Sequence, residues 1–487
     1  MTLGALAEFV KIKLDIEERS LGESMERYEL VVIGSGPSGR RAAVQAAKWN
    51  KRVLVIEKSP AIGGVSVHTG TLPSKTLRET VLNLSGWRER TFYGRSYRVK
   101  DNITAGDLLE RLHMTLQHEV DNLEHQFVRN KVDWIQGLAH FVDPNTLEIV
   151  DDDGEITSVH GDKILIATGT QPHRPDYIPF DGETIIDSDE IIDLKTLPRS
   201  LAVIGAGVIG IEYATIFSAL DVAVTVIEPR ETMLDFIDRE LIAEFTHLLR
   251  QQNVTFRFGQ GVEAIDKVEG GGNMITLENK RIVKADMVLF SAGRMGATDK
   301  LSLDKAGIKA DHRNRIQVNE NFQTEVDHIY AAGDVIGFPS LASTSMEQGR
   351  IVACHAFEQD AYDAPEYFPY GIYSVPEMST VGMSEEEVQQ RGIPYECGVC
   401  HFHETARGQI MGLSHGMMKM IFSLKTRRLL GVHIVGEGAT ELIHIGQAVL
   451  NLKGTLEYFV ENTFNYPTLA EAYKVAALDA WNRMPSE

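Results

Sequence analysis

Gly34-Ser35-Gly36-Pro37-Ser38-Gly39 closes a short apolar run at residues 29–33 and opens an alanine-rich stretch at residues 40–49. A second strand-like run, residues 52–56, ends in Glu57, 23 positions after Gly34. The pattern predicts strand, tight turn, helix and strand, with an acid at the far end. Gly34 permits the turn, Gly36 lets a pyrophosphate approach the backbone, and Gly39 lets helix and strand pack closely. The helix N-terminus offers free N–H groups and the positive end of its dipole to the phosphates. Glu57 accepts hydrogen bonds from a ribose diol.

The design recurs. Residues 201–204 lead into Gly205-Ala206-Gly207-Val208-Ile209-Gly210, a helix is predicted over residues 211–219, and a strand over 223–227 ends in Glu228, again 23 positions after the first glycine. One such glycine pattern is often only a turn. Two copies, each between strands and each with its acid at the same offset, predict two dinucleotide sites in one chain.

A chain of 487 residues is too long for one core and predicts two to four domains. Its 43% hydrophobic and 24% charged fractions are those of an ordinary soluble protein. A formal net charge of -21 argues against nucleic acid or an anionic membrane surface as partner. No apolar run reaches the roughly 20 residues of a spanning helix. Three cysteines, Cys354, Cys397 and Cys400, fit a reducing, cytoplasmic setting. Cys397-Gly-Val-Cys400 has redox or metal spacing with His401 and His403 behind it, but no second pair completes a four-ligand site, so no metal is expected. Residues 1–25 form an N-terminal extension in which Leu3, Leu6, Phe9, Val10, Leu14 and Ile16 suggest a short amphipathic helix. Asp15, Glu17 and Glu18 and the lack of a small-residue cleavage pattern make it a poor signal peptide, and Met25 is a candidate start.

Gly63-Gly64-Val65-Ser66-Val67-His68-Thr69-Gly70-Thr71-Leu72-Pro73-Ser74-Lys75 resembles the redox-active segment of the pyridine nucleotide-disulfide oxidoreductases, in which Ser66 and Thr71 would be cysteines. A hydroxyl forms neither a disulfide nor a redox-active thiolate. Ile329-Tyr330-Ala331-Ala332-Gly333-Asp334 resembles the family's flavin-binding segment, and Ile166-Ala167-Thr168-Gly169 its exit from the FAD domain. The second glycine pattern then resembles the NAD(P) domain, left through Ser291-Ala292-Gly293-Arg294. The resemblance implies an α/β fold: two Rossmann-like FAD/NAD(P)-binding domains plus a C-terminal α+β dimerisation domain. Residues 26–172 and 296–362 would form the FAD-binding domain, 173–295 the NAD(P)-binding domain and 363–487 the interface domain. It implies FAD as cofactor and NAD(H) and NADP(H) as substrates. The implied cofactor-binding residues are Gly34, Gly36, Gly39, Glu57, Lys58, Gly64, Thr71, Gly169, Gly333, Asp334, Gly205, Gly207, Gly210, Glu228, Arg230 and Gly293. Lys75, near flavin N5 in the family, would pair with Glu212. Its charge would stabilise the anion formed when the ring accepts hydride.

Phe464-Asn465-Tyr466-Pro467-Thr468-Leu469-Ala470-Glu471 resembles the family's C-terminal acid–base motif, with Tyr466 where the family has His and with Glu471 retained. A tyrosine with a pKa of about 10 does not replace imidazole as a base at neutral pH. The sulfur pair and its acid–base partner are therefore both missing, so disulfide reduction is not expected. Lys75, Glu212, Tyr466 and Glu471 stand as the candidate catalytic residues. The motif implies an isologous homodimer, or a multiple of it, with a cis Tyr466-Pro467 bond.

Nearly the whole chain from Met25 resembles the soluble, Si-specific pyridine nucleotide transhydrogenases, which share Thr71 and Tyr466 but commonly keep a cysteine at position 66. Further carrying segments are residues 333–343 and Gly371-Ile372-Tyr373-Ser374-Val375-Pro376-Glu377. The implied reaction is NADPH + NAD+ ⇌ NADP+ + NADH, by ping-pong through the flavin. Glu228 suits the 2′-hydroxyl of NAD and would repel a 2′-phosphate. Arg230 either pairs with that phosphate while Glu228 turns aside, or is a solvated loop charge. A diaphorase and a flavin-bound redox sensor without turnover would share the same nucleotide motifs.

Overall fold

The computed structural model describes residues 25–360 and 366–484. The helix suggested for residues 3–16 lies outside the described residues. The described residues form two compact units: residues 25–62, 124–169 and 296–360, and residues 63–123, 170–295 and 366–484.

The first unit is built on a seven-stranded sheet. β1 (Glu26–Ile33) lies between β2 (Val53–Glu57) and the strand Ile156–Ile166, parallel to both. The strands Asp133–Gln136 and Ile329–Ala331 extend the parallel part, and Leu138–Phe141 and Thr146–Val150 add an antiparallel flank. Leu30, Val31, Val32 and Ile33 are buried in succession, because a central parallel strand is covered on both faces. Helix α1 (Pro37–Ala47) starts at Pro37, whose missing N–H costs nothing there. Its alanines 42, 43 and 46 are buried, and it packs against the helix Ala342–Ala356. The approach is backbone-close: a Cβ on Gly349 would lie 2.0 Å from the Ser38 carbonyl oxygen.

The second unit carries α2 (Thr71–Leu84) and a five-stranded parallel sheet in the order Thr255–Phe258, Ala223–Glu228, Ser200–Ile204, Met287–Phe290, Ile185–Asp187. Helix α3 (Val208–Ala219) follows the second glycine turn and is buried at every position from Gly210 to Ala219, which makes it a core helix rather than an amphipathic surface one. The C-terminal part of this unit is a five-stranded antiparallel sheet covered by helices, among them Glu471–Arg483. Cys397 and Cys400 lie on its strand Tyr395–His401. Three positions apart on a strand, they point to opposite faces. Burial pushes both thiols up to about 12, which disfavours the thiolate that redox or metal chemistry needs. Among the described residues no helix is long and apolar enough to cross a membrane, and no cluster of His, Cys, Asp or Glu is arranged to hold a metal.

Candidate active site

In the first unit the glycine turn stands between β1 and α1. Gly34 has φ +103°, and a Cβ there would lie 2.4 Å from the Ala167 carbonyl oxygen. A Cβ on Gly39 would come within 2.0 Å of the Gly34 oxygen, whereas one on Gly36 would meet nothing within 4 Å. Two of the glycines are therefore demanded by packing. The third leaves open space at a helix N-terminus, which is where a pyrophosphate needs room. Glu57, buried at the end of β2, accepts from Ser35 N (2.9 Å) and Ser35 Oγ (2.6 Å) on one oxygen and from Ser59 N (3.0 Å) on the other. Lys58 beside it is exposed. Gly333 donates to Gln348 Oε1 at 2.8 Å and has φ +83°; Ser345 Oγ reaches Asp334 Oδ1 at 3.4 Å. Gly169 (φ +65°) has open space at its Cβ position, and the buried Thr168 hydroxyl next to it has no partner among the described residues. An open cradle, a fixed acid and an orphaned hydroxyl together fit the adenosine diphosphate portion of FAD.

In the second unit the turn repeats. Gly205 has φ +102° with Ser291 O at 2.8 Å from its Cβ position, Gly210 would collide with Gly205 O at 2.1 Å, and Gly207 again faces open space. Gly293 (φ +110°) is also open. Glu228 is buried, and its Oε2 accepts from Ala206 N at 2.7 Å. Arg230 grips the same carboxylate through Nε (2.9 Å to Oε1) and Nη2 (3.2 Å to Oε2), while its Nη1 reaches Asp235 Oδ2 at 3.0 Å. A backbone N–H ties Glu228 to the glycine loop, and Arg230, its side chain 45% exposed, is held between two carboxylates. Burial pushes the Glu228 carboxyl up, but the Arg230 guanidinium and two backbone N–H groups outweigh it and hold the group below the usual carboxylate range.

The same unit brings together Lys75 of α2 and Glu212 of α3. Lys75 Nζ lies 2.9 and 2.8 Å from the two Glu212 oxygens and 3.2 Å from Ser74 Oγ. Glu212 is only 3% exposed and also accepts from Tyr373 N at 2.9 Å. The Tyr373 ring lies under the ammonium, 4.8 Å from Nζ to its centroid. Lys75 remains about one quarter exposed, at 26%. A buried carboxylate thus fixes a partly open cation. Ser66, on the short helix Val65–His68 that begins after Gly64 (φ +62°), is buried and donates to Gly63 O at 3.1 Å. Thr71 is exposed at the start of α2.

Tyr373 was not singled out from the sequence, although the segment 371–377 containing it was. Its contribution runs through a backbone N–H and a ring face, which no side-chain pattern announces. The buried pair Arg78 Nη2–Glu377 Oε1 (3.1 Å), one helical turn beyond Lys75, was missed for the same reason: its partners are 299 positions apart. Tyr466 is 68% exposed on this chain and precedes Pro467 through a cis bond. Glu471 opens the last long helix, and its buried Oε2 has no partner among the described residues.

Residues 28–349 match the family described as pyridine nucleotide-disulphide oxidoreductase, and residues 368–477 match its dimerisation domain. The chain is 53% identical over 462 residues to a soluble pyridine nucleotide transhydrogenase of Mycobacterium bovis, covering 94% of this chain and 98% of that protein. It is 42% identical over 461 residues to one of Colwellia psychrerythraea, covering 94% and 98%. Among solved structures, the HOCl-induced flavoprotein disulfide reductase RclA from Escherichia coli superimposes with a TM-score of 0.83 at 26% identity, covering 93% of this chain and 99% of that one. LpdA from Mycobacterium tuberculosis does so with a TM-score of 0.85 at 24% identity, a likeness of fold, covering 93% and 99%. The chain is an oxidoreductase and belongs to the pyridine nucleotide-disulphide oxidoreductase family, on the branch whose members are named soluble pyridine nucleotide transhydrogenases.

Proposed function

We propose that this protein is an FAD-dependent transhydrogenase that moves hydride between NADPH and NAD+ in two half-reactions at one nicotinamide site. The observation that carries the reading is a retained Lys75–Glu212 pair beside a segment that has no sulfur at positions 66 and 71. Bound FAD supplies the hydride acceptor and donor. Gly34, Gly36, Gly39, Glu57, Gly169, Gly333 and Asp334 would hold it. Gly205, Gly207, Gly210 and Gly293 would admit the nicotinamide nucleotide, with Glu228 serving the 2′-hydroxyl and Arg230 the 2′-phosphate. Lys75, held in place by Glu212, offers a cation to the electron-rich ring, and Tyr373 fixes the carboxylate's direction. Donor and acceptor are chemically alike, so positioning dominates the demand on the protein.

Lys58, Gly64 and Thr71 are carried as further flavin-side contacts on the resemblance alone. Tyr466 and Glu471 are proposed to complete the site of a second copy in a homodimer. The unpartnered buried oxygen of Glu471 supports a group reaching it from outside the chain. We place it in the cytoplasm on the small number of cysteines and on the relatives' names as soluble.

The test is anaerobic: mix the holoenzyme with NADPH and thio-NAD+ and follow thio-NADH. Catalytic formation without added thiol or quinone is expected. Bleaching of the flavin without thio-NADH would refute the reading and favour a diaphorase.

A further inference from the structure

The chain carries a net charge of -21, yet between Trp87 and Lys100 stand four arginines and that lysine against one acid, Glu89. Within the second unit Arg88, Arg90 and Arg95 line a cavity of about 380 Å³, within the roughly 300–1,000 Å³ of small-molecule sites. The end of α3, the segment 251–253 and the loop 411–415 form its other walls.

The charges there do not balance. Arg88 is matched by Glu437 at 2.9 Å and Glu79 at 3.4 Å, and Lys100 by Asp107 at 2.6 Å. Arg90, Arg95 and Arg98 share a single carboxylate. Arg90 Nη1 lies 3.3 Å from Asp221 Oδ1, and Arg98 bonds the other Asp221 oxygen. Arg95 donates only to the Gln251 carbonyl, at 3.2 Å, and has no carboxylate partner among the described residues. Three guanidiniums around one acid leave two positive charges without a counterion. The Arg90 guanidinium registers the surplus: burial and the neighbouring Arg98 and Arg95 outweigh Asp221 and lower its pKa. Gln252 also lines the cavity.

A ligand that answers this surplus carries a doubly negative group. We propose that this cavity binds a phosphate-bearing small molecule, its dianion held by Arg90 and Arg95. Guanidinium forks match phosphate oxygens in geometry as well as charge. The cavity lies at the far end of α3 from the second glycine turn, so it is a different place on the molecule from Glu228 and Arg230.

The experiment is calorimetric titration of the holoenzyme at fixed ionic strength with inorganic phosphate and, separately, with ribose 5-phosphate. Saturable binding of one ligand per cavity is expected. Tighter binding of the ester identifies a phosphorylated metabolite, and equal binding identifies free phosphate. Arg95→Gln should weaken binding by about tenfold or more. Asp221→Asn, which removes the competing carboxylate, should tighten it. The proposal fails if neither probe binds saturably, if Asp221→Asn does not tighten binding, or if Arg95→Gln leaves binding unchanged.

Discussion

Replacing Arg230 by Gln isolates the choice between the two nicotinamide nucleotides. The guanidinium makes two charge-assisted contacts to Glu228 and one to Asp235, and its side chain is 45% exposed. A contact of this kind to a 2′-phosphate contributes about 1.5–3 kcal/mol when well shielded. Half-exposure and salt place it at the low end, about 1.5 kcal/mol, or about tenfold in affinity. NADP+ should therefore bind the variant about tenfold more weakly. NAD+ should behave differently. Glu228 keeps the Ala206 N–H that orients it and loses a competitor for its lone pairs, so NAD+ affinity should stay within about threefold or improve.

The assay is calorimetric titration of oxidised holoenzyme with each nucleotide. Equal weakening of both would mean that Arg230 merely braces the loop, and an unchanged NADP+ affinity would remove it from recognition altogether. The pH dependence is constrained as well. The folded Glu228 carboxyl is depressed below its ordinary value of 4.5. The pair's stabilisation is thus fully present above 4.5 and lost as pH falls through the folded value. Nucleotide preference should not drift across the neutral range on account of this pair.

Lys75→Met removes the cation and leaves Glu212 with Tyr373 N and Ser74; flavin reduction by NADPH in single turnover should slow by about 100-fold, and an unchanged rate would refute the electrostatic role. Gly36→Ala adds a methyl group to open space, so the fold should survive while the flavin-to-protein ratio drops; Gly39→Ala, with 2.0 Å to the Gly34 oxygen, should lower the thermal midpoint too. Full flavin occupancy in Gly36→Ala would contradict the cradle. Cys397 and Cys400, raised to about 12, should not react with a disulfide reagent at pH 8 until the protein unfolds. Because the unfolded thiols ionise near 9, their contribution to stability is full below that value and declines as pH rises toward 12, which the thermal midpoint against pH will show.

The fold was legible because its punctuation is local. A glycine at φ above +100°, a second at a helix N-terminus and a third against a backbone oxygen all lie within six consecutive residues, twice. Both acids at the 23-residue offset lie at strand ends, each tied to a backbone N–H of its own glycine loop, Ser35 N for Glu57 and Ala206 N for Glu228. What the sequence hid is non-local. Tyr373 meets Glu212 across 161 positions, and Arg78 meets the Glu377 carboxylate through packing that no period encodes. Asp235 was invisible for a subtler reason. It is an exposed loop carboxylate, a type found on every surface, and it acquires meaning only because Arg230 is already committed to Glu228.

Loss of the sulfur pair left the electrostatics around Lys75 intact, and the structure gives the reason. The Ser66 hydroxyl is satisfied by Gly63 O, so the buried position tolerates oxygen for sulfur without an orphaned donor. Thr71 is exposed at the helix start, where a small polar residue is at ease. The Lys75–Glu212 pair draws its support from Ser74 and from the backbone of Tyr373, and from neither of those positions. Dithiol chemistry and the charge at α2 therefore rest on separate contacts within one segment, and the first can be lost while the second persists. The proposed hydride exchange between two nicotinamide nucleotides would draw on the cation and the two glycine cradles, and on nothing from the sulfurs.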